Sequence, residues 1–160
     1  MCKPAECPHC KHANSRGLML MGGTHATWQC PRTHKVWTWL SKQWFRVTSE
    51  RVFLRDSLTL YTGLMDTSFP HQWRLLHQAT HYFIWLAWCK WAHEQVIFTH
   101  HTITSQVIAY VGDHIAALHH NASAALDGGK AAKSFYQTWC DPKCKLCEVV
   151  NGKVVMYHKL

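Results

Sequence analysis

Apolar positions recur in two rhythms along this chain. Between residues 73 and 91, Trp73, Leu76, Thr80, Phe83, Ala87 and Trp91 return at steps of three and four, and predict one face of a long helix started after the breaker Pro70. Val107, Ile108, Val111, Ile115 and Leu118 repeat that rhythm and predict a further helix with Thr104 as its N-cap, weakened but not forbidden by Gly112. Elsewhere the pattern is that of strands. Leu18-Met19-Leu20-Met21, then Gly22-Gly23, then Thr24-His25-Ala26-Thr27-Trp28-Gln29 read as a strand, a two-residue turn and a returning strand. Asn151-Gly152 between valine-rich runs is a stronger hairpin signal; a two-residue turn there pairs Cys147 with Met156 and puts His158 on the face of Cys147.

The cysteines give these hairpins a chemical meaning. Cys7-Pro8-His9-Cys10 is answered about twenty residues later by Cys30-Pro31-Arg32-Thr33-His34, with the first hairpin between them, which is the layout of a zinc ribbon. A tetrahedral zinc needs four converging ligands, and two short knuckles joined by a hairpin supply them without a large core, so folding and metal binding would be one event. The expected ligands are Cys7, Cys10, Cys30 and His34, with Cys2, His9, His12 and His25 as spare donors; a redox dithiol at Cys7 and Cys10 would instead want a strand-to-helix setting. A second set, Cys140, Cys144, Cys147 and His158, is brought together by the Asn151-Gly152 register; the alternative is cysteines that are simply buried or that bridge to Cys89. Two structural zinc ions are the expected cofactors.

Composition narrows the class. Hydrophobic residues make up 48% of the 160 positions and charged residues 16%, the balance of a packed globular chain. Nine tryptophans are mostly accounted for as core, because each buries a large area. The net charge of +8 favours a polyanionic partner, and it is unevenly spread. Residues 1–60 carry nine Lys and Arg against three acids, residues 61–128 are slightly acidic, and residues 129–160 carry six Lys against two acids. The basic character thus sits beside the two cysteine clusters. The N-terminus, Met1-Cys2-Lys3-Pro4, runs into the first CxxC without an export-signal pattern, and no apolar run reaches the length of a membrane span, so a reducing nuclear or cytoplasmic location without membrane contact is expected.

Three segments follow: a zinc ribbon with a basic, tryptophan-rich exit over 1–48, a helical domain over 49–127, and a C-terminal zinc knuckle with a β-hairpin over 128–160. The expected fold class is mainly α with small β zinc modules. In the exit, Trp37, Trp39 and Trp44 are interleaved with Lys35, Lys42 and Arg46, which suits either base stacking and phosphate tracking or an amphipathic strand packed on the ribbon. The pairs His100-His101 and His119-His120 flank the last helix and read first as exposed or capping imidazoles. The run Ile103-Thr104-Ser105-Gln106-Val107-Ile108-Ala109-Tyr110-Val111 has the rhythm of a helix-turn-helix entry, exposing Ser105, Gln106, Ala109, Tyr110 and Asp113 to a groove. No phosphate loop, GxSxG elbow or HExxH helix is present, His93-Glu94 lacks the spacing of a zinc deaminase, and Glu6, Asp141 and Glu148 are single carboxylates, so catalysis is not expected.

Taken in order, Cys7 to His34, Phe53-Leu54-Arg55-Asp56-Ser57-Leu58-Thr59-Leu60, and Leu75 to Leu118 resemble the N-terminal DNA-binding part of Merlin-type transposases and related insertion-sequence transposases. The resemblance implies a zinc ribbon followed by a helical region ending in a helix-turn-helix. The family's catalytic domain has three metal-binding carboxylates; the 40 residues after the helical part are too few to build it, so strand transfer is not implied. The expected function is a zinc-containing, non-catalytic nucleic-acid binder with duplex DNA as first partner. Its contacts would come from Lys11, Arg16, Arg32, Lys35, Lys42, Arg46, Ser105, Gln106 and Tyr110, with Lys3 and Lys143 as further phosphate contacts. The alternative is a structural zinc subunit docking through the tryptophan-rich helix onto a protein or ribonucleoprotein assembly.

Overall fold

The computed structural model describes residues 25–52, 69–144 and 146–157. Its architecture is mainly helical: a π-helical turn at His25–Gln29, then α1 (Pro31–Thr48), α2 (His71–Glu94), α3 (His100–Ala124), α4 (Lys130–Trp139) and the strands β1 (Cys147–Val150) and β2 (Lys153–Met156). Among the described residues no helix is long and apolar enough to cross a membrane.

The expected returning strand before Cys30, and the strand reading of the exit after it, are corrected. Residues 25–29 wind as a π turn and residues 31–48 form a helix. Proline at the first helical position costs no intrahelical hydrogen bond and pre-sets φ, so Cys30-Pro31 starts a helix. The chain then sustains a helical period: Val36, Leu40, Trp44 and Val47, joined by Trp37, form one buried face. The wide turn leaves carbonyls that tryptophans collect. Trp37 Nε1 donates to Thr27 O at 2.7 Å, and Ala26 O accepts from Thr33 Oγ1 at 2.7 Å and from Trp88 Nε1 at 3.0 Å.

α2 follows the expected pattern. It starts directly after Pro70, and Trp73, Leu76, Thr80 and Ala87 are buried with Phe83 and Trp91 half-buried. α3 buries Val107, Val111 and Ile115, but Thr104 is not its N-cap. The N-cap lies five residues earlier, where Thr99 Oγ1 accepts from Thr102 N at 3.1 Å, and Thr104 lies buried within the helix. A hydroxyl at residue 99 captures the orphan first-turn N–H groups before the one at 104 can. Residues 95–99 therefore join two long helices into a hairpin packed along its length, with Phe83 against Tyr110 at 5.8 Å. This differs from the expected helix-turn-helix entry, in which Thr104 capped the second helix.

Asp127-Gly128-Gly129 acts as a helix start. Asp127 Oδ2 accepts from Ala131 N at 2.7 Å and Oδ1 from Gly129 N at 3.1 Å, while both glycines take positive φ. The resulting α4 anchors Phe135 and Trp139 in the core, and buried Gln72 of α2 donates through Nε2 to Thr138 O. The C-terminal hairpin has the expected register, Cys147 opposite Met156, closed by Asn151 and Gly152 at φ 52° and 75°. It lies against α3 where Gly112 makes room: a Cβ there would stand 3.2 Å from Met156 Cγ. Trp37, Trp44 and Trp73 with Leu40, Leu76 and Ile84 form the centre of one core that takes in α1, α2, α3, α4 and the Cys144 to Cys147 segment.

Candidate nucleic-acid interface and the cysteine clusters

The outer side of α1 is the most charged surface that the helices build. Arg32, Lys35, Trp39, Lys42 and Arg46 follow at steps of three, four, three and four, so they share one stripe of the helix, flanking its buried face. Lys35, Lys42 and Arg46 are exposed, and Arg32 and Trp39 half-buried. The stripe runs about 21 Å at 1.5 Å per residue. No Asp or Glu lies anywhere in α1. Arg46 Nη1 donates to Gln43 Oε1 at 3.3 Å, which orients it, and Arg51 stands 5.6 Å over the exposed ring of Phe45 just beyond the helix. At the other end, His100 of α3 lies in the field of His101, Lys35 and Arg32; burial first and then these neighbours hold its pKa below the usual histidine value. The first turn of α3 thus lies beside the N-terminal end of the stripe.

The expected α3 contacts are exposed but differently placed. Ser105, Ala109, Tyr110 and Asp113 are exposed and Gln106 is half-buried. They lie on the far side of α3 from Val107, Val111 and Ile115, through which the helix packs into the bundle, so the fold does not bring them to the α1 stripe. α3 carries no Lys or Arg along its 25 residues. Lys11 and Arg16 lie outside the described residues, as do Cys7, Cys10 and His158.

Of the first cysteine cluster, Cys30 and His34 are described. Cys30 is fully buried at the helix start, whereas His34 is exposed and meets the edge of Trp28 at 5.8 Å. The knuckle expected at this point is instead the first helical turn, closed by His34 N donating to Cys30 O at 2.8 Å. In the second cluster, Cys140 ends α4, Cys144 follows the Asp141 turn and Cys147 opens β1. Cys144 and Cys147 are buried, Cys140 half-buried, and none is in a disulfide. Burial pushes the Cys144 thiol up to about 11; burial and then the neighbouring Cys140 and Cys144 push Cys147 up to about 12. Cys147 Sγ donates to Trp139 O at 3.3 Å. The donor chemistry suits zinc, but among the described residues no three His, Cys, Asp or Glu side chains converge as a metal-ligand set.

The helical period of the basic stripe, legible in residues 32–46, is the signal that the cysteine spacing overshadowed. A second feature lay in no motif: the tryptophan-rich wall of α2 divides into buried Ile84 and Ala87 and an outer pair, Tyr82 and Trp85, 48% and 52% exposed. No family model, curated protein or solved structure matches this chain.

Proposed function

We propose that this protein is a non-catalytic, zinc-containing nucleic-acid binder with duplex DNA as its preferred partner, and that α1 is its phosphate-tracking element. The observation that carries the reading is the stripe Arg32, Lys35, Trp39, Lys42 and Arg46: four cations in one line with no acid in the helix. Such a line meets a polyanion along its length and releases condensed counterions. Trp39 and the nearby Phe45 add apolar contact to sugars or bases. The α3 face supplies hydrogen-bonding groups, Ser105 and Gln106, but no cation, so it ranks second as a contact surface.

Zinc at Cys140, Cys144, Cys147 and His158 would displace the protons that burial holds on the clustered thiols, bind the resulting thiolates, and brace the C-terminal hairpin against α4. The ribbon ligands Cys7 and Cys10 and the transposase-like ancestry belong to the same proposal and rest on the sequence motifs. The test is a binding titration against duplex DNA, single-stranded DNA and RNA at two salt concentrations. Four neutralised phosphates give a slope of about −3.6 in log affinity against log salt, so duplex affinity is expected to fall on the order of 10²-fold from 50 to 200 mM. Binding that ignores ionic strength would sink the reading, and preference for RNA would change the partner.

A further inference from the structure

A separate cleft of about 290 Å³ opens where α2, α3 and α4 meet, lined by His71, Arg74, Leu75, Gln78, His114 and Trp139. Its chemistry is one-sided. A guanidinium, two imidazoles and a carboxamide line the space, and among the described residues no carboxylate does. Arg74 Nη2 lies 2.8 and 3.2 Å from the two ring nitrogens of His71, which carries no negative charge to offset the guanidinium, and Arg74 Nε is buried with no acceptor among the described residues. The first turn of α2, with no acidic residue and no side-chain cap, brings the positive end of its helix to the same corner. A cation, two imidazoles and a helix N-terminus at one small space are matched by a compact oxyanion.

The cleft is too small for a duplex, but its mouth continues into an aromatic track. His114 at the rim stacks on Tyr110 at 6.2 Å and 21°, Tyr110 meets Phe83 at 5.8 Å, and Phe83 leads to Tyr82 and on to Trp85 at 5.2 and 6.0 Å. These rings are half-buried to half-exposed, so faces and edges remain open to a planar group. We propose that the cleft is a nucleotide site: Arg74, His71 and His114 take a terminal phosphate monoester, and the attached base stacks on the track that begins at Tyr110. The phosphate belongs either to a free mononucleotide or to the end of a single strand; the shared chemistry is the monoester. This site is distinct from the α1 stripe and does not depend on it.

The experiment is a titration of the full-length protein, followed by calorimetry, with thymidine, thymidine 5′-monophosphate, and a short oligothymidylate with and without a 5′-phosphate. The monophosphate is expected to bind roughly tenfold tighter than thymidine, as one charge-assisted contact to the Arg74 guanidinium would give. Arg74→Gln should abolish that preference, and so should the milder His114→Ala at the rim, which guards against a folding defect in the first variant. Tyr110→Ala should weaken monophosphate binding while sparing the preference. A phosphorylated oligonucleotide binding tighter than the mononucleotide assigns the site to strand ends; equal binding assigns it to free nucleotides. If thymidine and its monophosphate bind alike, or if neither binds, the proposal is overturned. The charge-depleted α1 variant described below should keep the preference intact, so the two proposals fail separately.

Discussion

α1 and α3 both bury one face in the same core and turn the other outward, yet their outer surfaces have opposite endowments. α1 carries four cations in a line, with no acid within the helix; α3, seven residues longer, exposes Ser105, Ala109, Tyr110 and Asp113 with no Lys or Arg. Exposure alone therefore does not make a nucleic-acid surface. The phosphate backbone supplies most non-specific affinity, so under the proposed function the helix with the charge would set the binding energy and the neutral helix would at most refine it.

The largest effect expected comes from unseating α1. Trp44, 2% exposed, meets Trp73 edge-on at 5.2 Å, so Trp44→Ala leaves a cavity beneath the basic helix. It should cost about 3–5 kcal/mol in denaturant unfolding. A loss under about 1 kcal/mol would mean α1 is not a core helix.

Acid should loosen the same seat. His77 is 1% exposed, meets Trp37 and Trp73 at tilted ring contacts of 5.2 and 5.9 Å, and neither ring nitrogen has a partner among the described residues. Burial, with His81 adding, lowers its pKa to about 4. Its folded pKa is thus below the unfolded value of about 6.5. The stability is fully present above that value and drains as pH falls toward 4, by about 3 kcal/mol in all. His77→Leu should flatten this part of the stability-versus-pH curve; an unchanged curve would assign the acid sensitivity elsewhere.

Next in size is the contact of α3 with the C-terminal hairpin. Gly112→Leu drives a side chain into Met156, whose Cγ would stand 3.2 Å from the new Cβ. It should cost about 1–3 kcal/mol. A variant as stable as the parent would mean that β2 moves freely away from α3. The smallest effect belongs to the exposed α3 face: Ser105→Ala with Gln106→Ala should change duplex affinity less than about threefold, since neither residue neutralises a phosphate. A tenfold loss would restore the helix-turn-helix reading.

α2, the core of α3 and the C-terminal hairpin were legible because a single signal ruled each. Pro70 starts α2, Val107, Val111 and Ile115 keep the helical period, and Asn151-Gly152 admits one turn type and hence one register. α1 was misread because two signals competed over residues 30–47. Cys30 and His34 have ligand spacing, but they are also one helical turn apart, and the apolar positions after Pro31 favour the helix. The start of α3 was misplaced because Thr99 and Thr104 are both competent caps, and choosing between them depends on where α2 ends. α4 was missed because ten residues offer only Phe135 and Trp139 as a buried pair, and Asp127-Gly128-Gly129 reads equally as a linker or a cap. The cationic cleft was invisible because its six residues come from three helices that only the fold brings together.

The most direct measurement is the salt dependence of duplex DNA binding by the full-length protein and by the triple variant Lys35→Gln, Lys42→Gln, Arg46→Gln. These positions are exposed, so the variant should fold normally. Removing three phosphate contacts should reduce the slope of log affinity against log salt by about 2.7. A variant with the parent's affinity and the parent's slope would contradict the assignment of α1 as the phosphate-tracking helix.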